Sequence, residues 1–189
     1  AASDVYKRQN SNIDLEPEGI ITADGYFKSA EDYEKALTAL YERLNVGSYD
    51  LWMDGVTDNG LVTHSWNRGY DLGRGIGSTA SSFPADKWDK GYISVQRANN
   101  VINNIDKYQW PGGESDANRN QVLGEARTLR AYFYLDLVSI FGHIMFYTEN
   151  PATVAESENV KQVQDPKEVF DFILDDLDKA IAGLPDKPS

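Results

Sequence analysis

The chain has 189 residues, 41% of them apolar and 25% charged, which suits a soluble domain with its own core and excludes a disordered tail. Its net charge of −12 argues against nucleic acid and against a polybasic membrane contact, both of which need clustered Lys and Arg. With no cysteine there can be no disulfide, thiolate metal site or cysteine nucleophile.

At the amino terminus, Asp4-Val5-Tyr6-Lys7-Arg8-Gln9 resembles the translation of a transposon end used in preparing sequencing libraries. Residues 1–9 are therefore set aside as a sequencing-library scar, and fold reasoning starts at Asn10. Asn10 to Tyr26, with Pro17, Gly19 and Gly25, reads as an extended lead-in. Ser29 then caps a helix whose first turn carries Glu31 and Asp32 and whose stripe is Tyr33, Leu37, Leu40 and Leu44. From Ser48 to Ala85 no period persists, and glycines alternate with Tyr49, Trp52, Trp66, Tyr70 and Phe83. Disordered segments are poor in aromatics, so this stretch reads as an ordered loop that carries function.

Asp86 to Ile105 is the next expected helix, with Trp88, Tyr92, Val95, Ala98, Ile102 and Ile105 on one face. Asn99, Asn100, Asn103 and Asn104 are poor helix formers, so either specific hydrogen bonds hold them or the helix end frays. After a turn at Trp110-Pro111-Gly112-Gly113 comes the stretch Gln121 to Gly142, which carries two helical rows. One is Val122, Ala126, Leu129, Phe133 and Leu137; the other is Leu123, Arg130, Tyr134, Val138 and Phe141. Two rows imply a helix packed on most of its circumference, with Gly142 as its stop. Arg127 and Arg130 are expected to pair with acids or helix carbonyls beside the core. His143 to Pro151 looks extended, and Ala152 to Gln164 reads as polar loop. Asp165-Pro166-Lys167-Glu168 opens a last helix with the stripe Val169, Phe170, Ile173, Leu177, Ile181 and Leu184. Four helices and no convincing strand pair give an all-α domain, and stacked antiparallel helix pairs are compatible with it.

Sugars present apolar C–H faces and a rim of hydroxyls, so a site for them wants aromatic platforms beside hydrogen-bonding side chains. His64-Ser65-Trp66-Asn67-Arg68-Gly69-Tyr70-Asp71 has that mixture, and Trp66, Asn67, Arg68 and Tyr70 are the candidate ligand-binding residues. The bland alternative is that Trp66 and Tyr70 only pin the loop to the helices. Asp54 to Gly60 lacks the spacing of a calcium loop and reads as a turn. Neither His64 nor His143 sits in a triad or metal spacing, and none of the 30 acids stands out as a catalytic pair. No catalytic residue, metal ligand or cofactor is assigned.

The string GEARTLRAYFYLDLVSIFG (124–142) resembles the signature of the RagB/SusD family. So does RANNVINNI (97–105) preceded by Trp88 and Tyr92, and so does the lead-in Asp14-Leu15-Glu16-Pro17 with Tyr26-Phe27 before the first helix. The likeness runs from Asn10 to the end and departs at His143-Ile144-Met145, where relatives commonly place a proline. It implies an all-α, tetratricopeptide-like scaffold of helix pairs with a long glycan-binding loop, of which residues 10–189 are a truncated amino-terminal domain. It also implies a non-catalytic, surface-exposed lipoprotein of the outer membrane. Such a protein binds oligosaccharide or polysaccharide and delivers it to a SusC-like TonB-dependent porin, held by a lipid anchor missing from this fragment. The competing readings are a helical-repeat scaffold that binds protein and, last, a carbohydrate-active enzyme.

Overall fold

The computed structural model describes residues 23–44, 53–66, 69–78 and 81–185. The lead-in before Ala23, the proposed scar included, lies outside the described residues. The α-helices whose bounds fall among the described residues are, in order, α1 (Ala23–Tyr26), α2 (Ala30–Tyr41), α3 (Tyr70–Gly73), α4 (Ser82–Asn103), α5 (Ala117–Phe141), α6 (Val154–Asn159) and α7 (Lys167–Gly183). The only pairing of β type among the described residues is an isolated antiparallel bridge between Met145 and Gln162. The all-α expectation holds.

The central helix α5 packs against α7, α4 and α2, and α2 also rests on α4. Both of its rows are buried: Val122, Ala126, Leu129, Phe133 and Leu137 on one, Leu123, Arg130, Tyr134 and Val138 on the other. Its start lies a turn earlier than the periodicity predicts. The Asp116 carboxylate accepts from the Asn118 and Arg119 amides at 2.9 and 3.1 Å, capping a first turn too polar to show a stripe. Gly142 ends the helix at φ +68°, a conformation that suits a residue without Cβ.

Local chemistry sets the other helices too. In α2, Asp32 Oδ2 reaches back to accept from the Ser29 amide and hydroxyl, each at 2.9 Å. The helix α4 begins at Ser82 rather than Asp86, because Pro84 falls in the first turn, where no N–H is needed. Two expectations need correction at short elements. Ala23–Tyr26 is helical rather than extended, and Val154–Asn159 forms a helix inside the supposed polar loop, capped by Thr153 Oγ1 on the Glu156 amide at 3.2 Å. On α7 the stripe is narrower than predicted: Val169, Ile173 and Ala180 are buried, whereas Phe170 and Ile181 face solvent together with Leu174.

Arg130 is 5% exposed, and its charge is held inside the core. It donates from Nε and Nη2 to the two oxygens of Asp176 on α7 at 2.7 and 2.8 Å, and from Nη1 to Asn99 Oδ1 on α4 at 2.8 Å. A bidentate pair with a third partner satisfies a buried guanidinium that would otherwise be very costly. The structural role expected of Arg130 is what the fold contains. The asparagine run is likewise held by bonds. Asn103 donates to Thr148 O at 2.9 Å, Asn104 to Asn100 O at 2.7 Å, and Asn100 accepts from Asn150 at 2.7 Å.

The same chemistry straps residues 143–151 across α4 and α5. The Tyr92 hydroxyl donates to Met145 O at 2.9 Å and accepts from the Met145 amide at 2.7 Å. The Tyr134 hydroxyl donates to Tyr147 O and accepts from the Tyr147 amide at 3.2 Å. On the other side, the Val163 amide donates to Ile144 O at 2.9 Å. Burial pushes the Tyr92 and Tyr134 phenols well up from their ordinary range, so both stay protonated. Tyr41, which burial and its bond to Glu125 push up to about 12, ties α2 to α5 in the same way.

Candidate functional site

The connection from α2 to α4 is less irregular than its composition suggests. Residues Asp54 to Asn59 form a turn in which the Thr57 hydroxyl donates to Asp54 O at 2.8 Å and accepts from the Asn59 amide at 3.2 Å. That is the turn expected of Asp and Asn beside glycine. Among the described residues, no group of three or more acids and histidines could hold a metal ion. The two legs of the loop meet where a Cβ on Gly73 would lie 2.6 Å from Gly55 O, so only glycine lets them approach this closely.

Between these legs stand two of the four candidate residues. Trp66 is 79% exposed, and its outward ring is met by the His64 ring at 4.4 Å and a 45° tilt. Thr63 Oγ1 lies 3.0 Å from His64 Nδ1, which steadies that ring. Tyr70 opens α3 and is half-buried, with the Arg74 guanidinium 3.8 Å over its ring. Arg74 also donates to Val62 O at 2.6 Å, joining the short helix to the chain before Trp66. Asn67 and Arg68 lie outside the described residues.

Trp66 and Tyr70 therefore share one small hollow of about 70 Å³, closed behind by Asp71, Leu72, Ser81 and Phe83. That volume is far below the roughly 300–1,000 Å³ of a ligand pocket. The arrangement offers a proud indole face backed by an ordered loop, suited to a ligand laid across it rather than sunk into it. Tyr70 is a support more than a platform, since Arg74 covers one face of its ring. Sequence reasoning missed Arg74; the signal was its place four residues after Tyr70, one turn along a helix.

The comparisons with known proteins agree with this architecture. A family described as SusD-like, starch-binding and associating with the outer membrane matches residues 17–189. A SusD-like protein of Formosa agariphila, P38, is 27% identical over 178 residues, covering 92% of this chain and 34% of its own length. One of Bacteroides ovatus is 26% identical over 189 residues, covering 93% of this chain and 32% of its own. Among solved structures, a SusD-like carbohydrate-binding protein of Bacteroides fragilis superposes with a TM-score of 0.72 at 21% identity, over 85% of this chain and 32% of that one. A laminarin-binding SusD-like protein gives 0.69 at 22% identity, over 86% and 36%. At such identities the structural likeness establishes the fold, a tetratricopeptide-like helical scaffold. The chain spans about a third of the length of the relatives it matches.

Proposed function

Since the chain belongs to the SusD-like family of starch-binding proteins that associate with the outer membrane, we propose that it binds glycans at the cell surface without turning them over. Trp66 is the stacking platform, Asn67 and Arg68 supply paired hydrogen bonds to hydroxyls, and Tyr70 holds the loop behind them. The observation that carries this reading is an indole left 79% exposed on a loop otherwise tied down by turns and ring contacts. A tryptophan that only pinned the loop would be buried. In the same reading, residues 10–189 are the amino-terminal part of a longer protein whose remainder completes the site. The glycan passes to a SusC-like TonB-dependent porin, and a lipid outside these residues holds the protein to the membrane. No helix among the described residues is long and apolar enough to cross a membrane.

Calorimetry against maltohexaose and laminarihexaose tests the proposal. Trp66→Ala should weaken binding at least tenfold and leave the melting temperature unchanged; unchanged affinity would overturn the assignment of the loop. A second reading, a helical scaffold that binds protein, draws on the exposed row Phe170, Leu174 and Ile181 of α7. It gains if purified porin binds the chain and no glycan does.

A further inference from the structure

A separate cleft of about 410 Å³ opens between α4 and the strap at residues 143–151. Its volume falls within the range of small-molecule sites. Trp88 and Tyr92, one turn apart on α4, line one side with their rings edge to face at 4.8 Å. Tyr147 lies parallel to Tyr92 at 6.0 Å, and Met145, Pro151 and Val160 extend the apolar lining. The periodicity places Trp88 and Tyr92 on the apolar face of the helix, and both are only half-buried.

Of the polar groups at this cleft, the Tyr92 hydroxyl is spent on Met145 and Ser157 is partnered, whereas three others are unspent. Asp89 is exposed, and its carboxylate bonds no other described residue. Gln96 uses its backbone carbonyl to accept from Asn150 at 2.9 Å, while its side-chain amide bonds nothing described. The indole N–H of Trp88 likewise has no acceptor among the described residues. A carboxylate, an amide and an N–H beside aromatic faces therefore await partners.

The lining narrows the ligand class. It contains no Lys or Arg, which disfavours phosphates and other anions, and its one carboxylate is too few for a divalent cation. A purely apolar ligand would leave the three polar groups unused. A neutral polyhydroxylated ring with an apolar face satisfies both sets. We infer that this cleft is a second sugar site, which takes one or two rings of a neutral oligosaccharide apart from the loop at Trp66. The inference rests on the reading of the chain as a glycan binder.

Calorimetry on the full-length protein that carries these residues, with maltohexaose and laminarihexaose, tests it, using Trp66→Ala, the pair Asp89→Ala/Gln96→Ala, and all three together. Asp89 and Gln96 are exposed with unbonded side chains, so their loss leaves folding intact. Expected are two sites per parent chain, one in Trp66→Ala, and a further tenfold or greater loss when Asp89 and Gln96 are also removed. If Trp66→Ala alone abolishes binding, the cleft is not a site and the loop reading stands. If Trp66→Ala changes nothing while the Asp89/Gln96 pair removes binding, the cleft is the site and the loop reading fails. Absence of any binding to the parent chain overturns both.

Discussion

Replacing Asp176 by Ala should destabilise this fold more than almost any other single change on α7. The side chains of Arg130 and Asp176 are 6% and 2% exposed, so the variant would leave a guanidinium buried without its counter-charge. Breaking a buried pair from one side costs about 3–5 kcal/mol. A chain of this size loses about 2–4 °C of melting temperature per kcal/mol, so the midpoint should fall by about 6–20 °C. Asp175→Ala, one residue away, is the control. Its pair with Lys179 is half-exposed at both ends, and its loss should cost no more than about 1 kcal/mol. The double variant Arg130→Met/Asp176→Leu removes both charges and should recover most of the deficit. A residual loss of about 1–3 kcal/mol should persist, because Asn99 Oδ1 keeps no donor. Thermal unfolding followed by circular dichroism measures all three. The reasoning is refuted if Asp176→Ala melts like Asp175→Ala, or if the double variant melts no higher than Asp176→Ala.

Four further outcomes follow from contacts on the same scaffold. Tyr92→Phe and Tyr134→Phe each strip the partner from a strap amide and carbonyl, and should lower stability by about 1–3 kcal/mol in urea titrations. Because burial raises both phenols above their unfolded value of 10.0, the folded state holds those protons more tightly. Stability should therefore decline as pH climbs past 10, less steeply in either phenylalanine variant; a parent that gains stability there contradicts the assignment. Gly91→Ala would set a Cβ 2.7 Å from Leu137 Cδ2, and Leu137 is only 1% exposed. Overpacking of about 1–3 kcal/mol should outweigh the helix propensity regained, and Leu137→Ala in the same chain should relieve the clash. In acid, Asp116 and Asp32 matter. The Arg119 amide chiefly lowers the first and the Ser29 hydroxyl the second below the usual 3.8. Their contribution is complete above that value and lost as pH falls through the folded one, so Asp116→Asn, which cannot titrate, should show a shallower fall in melting temperature from pH 5 to 3.

The long helices were legible because burial writes a period into sequence. Every member of the two rows of α5 is buried except Phe141, which is half-covered, and the helix also buries Gly124 and Ala131. The asparagines between 99 and 104 were informative for the opposite reason: residues so unsuited to a helix interior imply either bonds that hold them or a fraying end, and the structure contains the bonds. What escaped reading was short or long-range. The helices α3 and α6 have 4 and 6 residues, too few for any period to show. The start of α5 was hidden because its first turn is polar all round. Asp176, 46 residues from Arg130, sits at a position of α7 that local patterning marks as merely another acid. At the candidate site, composition located an aromatic loop, but only the fold separates the outward Trp66 from the Tyr70 beneath Arg74.

The strap at residues 143–151 has a consequence for how such a protein survives at high local concentration. An extended segment at a surface ordinarily presents bare amides and carbonyls, a template on which another chain can add a strand. Here the Met145 and Tyr147 groups are taken by phenols, Thr148 by an asparagine amide and Ile144 by Val163. Side chains, and at Ile144 the Val163 amide, thus stand where a neighbouring strand would pair. The segment keeps the reach of a β-strand without its stickiness, so an all-helical protein can cross its own surface in extended form and still resist edge-to-edge association.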